Sequence, residues 1–345
     1  MFWSFLSALL LGGLLGFVFQ RARFCLTGGF RDMYLSKNNR MFYALLIAIS
    51  VQSIGVLALI ELGYISSPYK DFSLLSVIVG SIIFGISIVL ASGCATGTWY
   101  RAGEGLISSW IALFMYMLSA AAMRSGALSD FTKLMGQYGK MNENIAASLG
   151  ISVWWLVALL LIVTLLSVYK SLSKPVVKVA SLAPRYSGVR HYLFEKKIHP
   201  FVAAVFIGML AFFAWVANGI AGKTAGLSIT GPSANIILFI TSGEAKYINW
   251  GVFLVLGIMF GSYIAAKGSR EFRWRLPDLN TLRNSVIGGV LMGVGASLAG
   301  GCTIGNGLTA TAVMSAKGWI SLFFIIVGVW IMSYFSYVRP LKQAN

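Results

Sequence analysis

The chain has 345 residues, 58% of them hydrophobic and only 11% charged, with a mean hydropathy of +0.81; soluble domains carry roughly 25% charged residues. That excludes a soluble globular enzyme, and recurring apolar runs of about 20 residues, the length needed to cross a bilayer core, predict an all-α polytopic membrane protein. The net charge of +17 would suggest nucleic acid in a soluble chain, but its distribution reads as membrane topology, with lipid and no nucleic acid as partner.

In chain order the predicted spans are residues 2–20, 41–61, 73–92, 105–122, 151–169, 200–220, 249–266, 284–300 and 319–337. Met1 to Phe19 has no basic stretch ahead of its apolar run, so it reads as a first membrane helix and not as a signal peptide. Of the 27 Lys and Arg, 19 fall in four connections: Arg21 to Arg40, Lys170 to Lys197, Lys267 to Arg283, and Arg339 with Lys342. The positive-inside rule puts these connections in the cytoplasm, the N-terminus outside and, after nine crossings, the C-terminus inside. Segments 85–97 and 293–307 are expected to be broken helices, because Gly, Ser and Thr interrupt them.

The broken segments belong to a repeat. Leu90-Ala-Ser-Gly-Cys94-Ala-Thr-Gly97 aligns at an offset of 208 with Leu298-Ala-Gly-Gly-Cys302-Thr-Ile-Gly305. Two further copies are Phe24-Cys25-Leu-Thr27-Gly28 and Leu227-Ser228-Ile-Thr230-Gly231. The first half, 1–150, opens with an out-to-in helix and the second, 200–345, with an in-to-out helix. The halves therefore read as inverted repeats of a single membrane domain, joined by a helix and basic linker at 151–199. Such repeats place a substrate path at their interface near the midplane.

The path candidates are Cys25, Cys94 and Cys302, one in each of three copies. Thiols are weak donors and soft acceptors, so a row of them could pass along an anion carrying a soft sulfur or selenium atom without trapping it. Supporting candidates are Thr27, Gly28, Thr96, Gly97, Ser228, Thr230 and Gly305, which supply hydroxyls and close backbone approach. Asn306 is either a turn residue or a polar gate contact. Arg101 and Glu104, at the predicted membrane edge, read as path residues, as an ion pair fixing the loop, or as a snorkelling pair.

Thiols could instead ligate a soft metal, but His191 and His199 both lie in the linker and no Met or His stripe accompanies the cysteines. No metal and no cofactor is expected. Ala217 to Thr224 resembles a loosened phosphate-binding loop, yet it lacks the preceding strand and acidic partner that such a loop needs.

The stretches Phe24-Cys25-Leu-Thr-Gly-Gly-Phe-Arg31-Asp32, Gly93-Cys94-Ala-Thr-Gly-Thr-Trp-Tyr-Arg-Ala-Gly-Glu104 and Gly301-Cys302-Thr-Ile-Gly-Asn-Gly307 resemble the YeeE/YedE family of bacterial inner-membrane proteins, over nearly the whole chain. The resemblance implies thiosulfate uptake by an hourglass-shaped bundle with short re-entrant helices. It also implies a relay of Cys25, Cys94 and Cys302 through weak S–H···S hydrogen bonds, and a TusA-like cytoplasmic sulfur carrier as partner. Some relatives are associated with selenium, so another sulfur or selenium species is the alternative cargo. A membrane-embedded sulfur-transfer enzyme, with Arg101 activating Cys94, is the competing class. By topology Cys302 should lie nearest the periplasm, Cys25 nearest the cytoplasm and Cys94 between them.

Overall fold

A computed structural model describes residues 2–66, 68–173, 187–188, 190–220 and 224–344. Residues 174–186 of the basic linker, and Ala221 to Lys223 of the loosened phosphate-loop pattern, lie outside the described residues.

The first half contains α1 (Phe2–Ala22), α2 (Leu26–Leu35), α3 (Arg40–Glu61), α4 (Leu74–Leu90), α5 (Ala95–Gly103) and α6 (Ile107–Ser125). Short helices α7 (Ser129–Met135) and α8 (Ile145–Leu149) lead to α9 (Val153–Leu172). The second half contains α10 (Pro200–Ile220), α11 (Thr230–Ser242), α12 (Trp250–Gly268), α13 (Leu279–Leu298) and α14 (Ala316–Ser333). Among the described residues the strands are confined to a two-residue antiparallel pair, Phe72–Ser73 with Lys140–Met141.

Eight helical segments are long and apolar enough to cross a membrane, and α13, of 20 residues, falls short only in apolar character. Each of the nine predicted spans thus corresponds to a helix, α10 with the same ends and the others with shifted ones. The largest shift is at α13, which starts five residues ahead of its predicted span. Asp278 caps it, its carboxylate accepting from Thr281 N at 3.3 Å, so a polar first turn that reads as loop is helical. The helix α14 starts three residues early for the same reason: Ser315 Oγ accepts from Gly318 N at 3.3 Å.

Glycines set the packing. α1 and α12 run parallel, with Phe5 stacked on Phe253, Leu9 O beside Gly257, and Gly13 against Gly261. A Cβ on Gly257 would come within 2.5 Å of Leu9 O, so this approach of two backbones requires glycine. α4 and α13 cross antiparallel, with Gly80 beside Ala299 and Gly288 beside Ala91.

The helix contacts recur in pairs. α1 packs on α12 as α10 packs on α3; α4 on α14 as α13 on α6; α2 on α14 as α11 on α6. Exchanging α1, α2, α3, α4 and α6 for α10, α11, α12, α13 and α14 reproduces the set. The ninth long helix, α9, stands outside this scheme and leans on α3, where Thr164 and Ser50 hydroxyls meet at 3.1 Å.

The bundle has a basic end, where α1 and α12 finish and α3, α10 and α13 begin. At the opposite end α4, α9 and α14 begin; there Leu74 N donates to Gly139 O at 2.9 Å, and Ala316 N to Glu143 O at 2.8 Å. Both ends lead inward to the cysteine loops.

Candidate functional site

Helices α1, α4 and α13 end in one and the same way, in a turn that α3 (Gly63, φ 76°) and α12 (Arg270, φ 59°) also use. At α1, α4 and α13 a left-handed residue terminates the helix: Arg23 (φ 50°), Ser92 (φ 55°) and Gly300 (φ 68°). The next residue's N–H reaches back to the last turn, with Phe24 N to Phe19 O at 3.0 Å, Gly93 N to Ile88 O at 3.0 Å and Gly301 N to Ala296 O at 2.9 Å. This is the Schellman pattern. The residue after it is Cys25, Cys94 or Cys302, so a common backbone turn presents each thiol.

Beyond the turn the three loops diverge. Cys25 Sγ accepts from Gly28 N at 3.5 Å and Cys94 Sγ from Gly97 N at 3.4 Å, so each sulfur caps a short helix, α2 or α5. Cys302 instead leads through a turn into a π-helical segment, Gly305–Ala310, where Asn306 N bonds Cys302 O at 2.8 Å. Ser228 precedes α11, whose N-cap position is Ile229 with no side-chain cap. All three cysteines are free thiols; Cys94 and Cys302 are buried and Cys25 partly so. Cys94 lies within electrostatic range of both Cys25 and Cys302. Among the described residues no three His, Cys, Asp or Glu side chains converge as a metal set.

A cavity opens on each side of the thiols. The one at the basic end, about 480 Å³, is lined by Cys25, Thr27, Gly28, Arg31, Arg40 and Arg101 among others. The one at the opposite end, about 380 Å³, is lined by Arg124, Ser228, Thr230, Gly231, Gly300 and Gly301 among others. Gly300 and Gly301 immediately precede Cys302, which links that cavity to the third thiol.

Arg101 and Glu104 have separate partners. The Arg101 guanidinium donates through Nη2 to Cys25 Sγ at 3.4 Å and through Nη1 to Ser92 O, which ties α5 back to the turn that ends α4. Glu104, 5% exposed, takes both oxygens to Arg23 Nη1, at 2.8 and 2.9 Å, while Arg23 Nη2 reaches Glu271 at 2.9 Å. Of the three readings open for this pair, an Arg101–Glu104 ion pair does not form; a chain neighbour three residues away on a short helix loses to an arginine delivered by the α1 turn. Burial raises the Glu104 carboxyl above its usual range although Arg23 opposes this. Burial also pushes Glu271 upward, but Arg23, the Gln20 amide at 2.7 Å and Arg21 together hold it below the carboxylate range.

Asn306 does more than turn the chain. Its Nδ2 donates to Ala299 O at 2.9 Å and Ser321 Oγ at 3.0 Å, stapling the Cys302 loop to α14. Gly28 and Gly97 supply the capping N–H groups, and Gly305 opens the π-helical segment. Sequence reasoning misses Tyr116, fully buried in α6 within electrostatic range of Cys94 and Cys302, with its hydroxyl on Thr230 Oγ1 at 2.9 Å. An aromatic in an apolar span carries no signal of such a role. It misses Arg23 and Glu271 as well, because a charge in a basic connection reads only as topology.

The sulphur transport family matches residues 21–331. The chain is 59% identical over its whole length to thiosulfate transporter TsuA of Escherichia coli (strain K12), covering 98% of that protein. It is 31% identical to thiosulfate transporter TsuA of Spirochaeta thermophila, over 96% of this chain and 99% of that one. Probable transporter YedE of Escherichia coli is 37% identical over 103 residues, 30% of this chain and 25% of its own length. Two full-length relatives named as transporters and a family match over most of the chain establish a multi-pass membrane transporter, and the chain belongs to the sulphur transport family.

Proposed function

We propose that this transporter takes up thiosulfate across the bacterial inner membrane, through a path formed where two inverted halves, 1–150 and 200–345, meet. The observation that carries the reading is the repeated turn that presents Cys302, Cys94 and Cys25 between two cavities. The names of the two full-length relatives supply the cargo.

The N-terminus is external and the C-terminus cytoplasmic, so that Arg23, Arg31, Arg40 and Arg101 ring the inner cavity. A thiosulfate ion enters the opposite cavity, passes its terminal sulfur from Cys302 to Cys94 to Cys25, and leaves toward the basic end. Neutral thiols suit this because conduction needs several weak sites. A row of full charges would hold a dianion. At the basic end a TusA-like sulfur carrier consumes the delivered sulfur and keeps uptake running inward.

The test is uptake of radiolabelled thiosulfate by cells lacking their own sulfate and thiosulfate importers. Wild-type uptake well above empty vector is expected, and its loss in Cys25→Ala, Cys94→Ala and Cys302→Ala at matched expression. Wild-type uptake at the empty-vector level removes thiosulfate as cargo and sends selenium oxyanions to the same assay.

A further inference from the structure

Among the described residues eight threonines are buried: Thr27, Thr96, Thr98, Thr164, Thr230, Thr303, Thr309 and Thr311. Five have hydroxyl partners: Thr98 on Ala95 O, Thr164 with Ser50, Thr230 with Tyr116, Thr309 on Leu227 O and Thr311 on Gly307 O. The remaining Oγ1 atoms, those of Thr27, Thr96 and Thr303, have no partner, at 5%, 4% and 1% exposure. These three are the threonines next along the chain from the cysteines, at two residues beyond Cys25 and Cys94 and one beyond Cys302. The shift by one accompanies the change of backbone, since the Cys302 loop enters a turn and π-helical segment where the other two enter α-helices.

Buried polar atoms are almost always hydrogen-bonded, and one left alone calls for a ligand, a water or a catalytic use. The other unpartnered buried side-chain atoms among the described residues belong to Gln20, Arg21, Gln52, Trp215 and Ser333; among the threonines, the unpartnered ones are those beside the thiols, while Thr98, Thr309 and Thr311 are satisfied. Thr27 also lines the basic-end cavity together with Cys25. A hydroxyl is a neutral donor to an oxyanion. It can hold an oxygen without adding the charge that would trap a dianion.

We propose that Thr27, Thr96 and Thr303 are the oxyanion donors of the path, each receiving the sulfonate oxygens of the ion while the adjacent thiol receives its terminal sulfur. The inference rests on the thiosulfate reading and adds to it a second track. Each station then reads both ends of the ion, soft sulfur by thiol and hard oxygen by hydroxyl. That explains why a path built of thiols carries a hydroxyl close along the chain from each of them. It makes these three threonines specificity-determining residues for an anion that has both kinds of end.

The experiment measures radiolabelled thiosulfate uptake over a range of concentrations for full-length Thr27→Val, Thr96→Val and Thr303→Val, beside the matching Thr→Ser variants and wild type. Melting temperatures of the purified proteins are measured in parallel. Valine keeps the shape and removes the hydroxyl. The expected result is a half-saturating concentration raised about tenfold or more by each valine, since hydrogen bonds to charged groups carry that much. Serine should restore it, and the valine melting temperatures should be unchanged or higher because an unsatisfied buried group has gone. Valine variants that saturate like wild type overturn the inference while leaving thiosulfate transport standing. Uptake lost equally in valine and serine variants, with lowered melting temperatures, also overturns it, because packing would then be the cause. Wild type that takes up no thiosulfate overturns the cargo reading, and this inference with it.

Discussion

Arg101 Nη2 lies 3.4 Å from Cys25 Sγ, so this thiol sits under a guanidinium that cannot accept, only donate. The same side chain reaches Ser92 O, and thus spans from the α4 turn to the α2 turn. Cys25 and Arg101 line the same cavity, so an anion bound at the thiol would lie beside this cation. Arg101→Gln removes the charge and keeps a donor, and should lower uptake about tenfold or more, in line with the strength of charge-assisted hydrogen bonds. Arg101→Lys, with a point charge that cannot hold both partners in one plane, should fall between the two. Uptake kinetics at matched membrane levels decide; a wild-type rate in Arg101→Gln would make this arginine a loop tie alone.

The sulfur caps allow structure and transport to be separated at Cys94. Serine is a better N-cap than cysteine, and its oxygen would accept from Gly97 N as Sγ does at 3.4 Å. Cys94→Ser should therefore keep or slightly raise the melting temperature while uptake falls to background. Cys94→Ala loses both cap and thiol, and should cost about 0.5–2 kcal/mol of stability as well. Full uptake in Cys94→Ser would mean that capping, not relay, is what the residue does.

The helices were legible because hydropathy is a property of the local sequence, and lipid enforces it over each span. The polar opening of α13 was not, since Asp278 makes Leu279-Asn-Thr-Leu-Arg283 helical by capping while its composition resembles a loop. The motif register pointed to the cysteines, yet the turn that presents them was hidden. Glycine marks a left-handed residue at Gly300, but the equivalent positions carry Arg23 and Ser92, which sequence rules assign elsewhere. Partnership across the chain was hidden too. Glu104 and Arg23 are 81 residues apart, and nothing local to either names the other.

That pair gives an asymmetric prediction. Glu104 is 6% exposed and Arg23 45% exposed at the side chain, so each is left in a different medium when its partner goes. Arg23→Ala strands a buried carboxylate and should cost about 3–5 kcal/mol; Glu104→Gln strands an arginine that water can reach and should cost less. The cost also depends on pH. The Glu104 carboxyl already sits above its usual value of 4.5 through burial, with Arg23 opposing the rise. Without Arg23 it rises further. A raised acid favours the fold while protonated and loses that advantage as pH climbs from the unfolded value through the folded one. Arg23→Ala should accordingly be closest to wild type near pH 4.5 and fall away as pH increases, which melting curves across pH 4.5 to 8 would register. A pH-independent deficit would show that Glu104 is not the group left unpaired.

Two neighbouring glycines of the α1–α12 contact should respond in opposite directions. A Cβ on Gly261 would drive into the Gly13 carbonyl, which is backbone and cannot rotate away, whereas a Cβ on Gly13 meets nothing nearer than Gly257 O at 4.0 Å. Gly261→Ala should therefore destabilise by about 1–3 kcal/mol through overpacking. Gly13→Ala should be neutral or gain up to about 1 kcal/mol, because alanine holds a helix better than glycine. The effect should also travel. Forcing α12 outward moves the chain that carries Glu271, and with it the Arg23 bridge to Glu104 at the end of α5, the helix on which Arg101 sits. Uptake per folded molecule should thus fall in Gly261→Ala and hold in Gly13→Ala. Equal behaviour of the two variants would break the link between helix contact and the site, because the two glycines face each other and differ only in what a methyl group would strike.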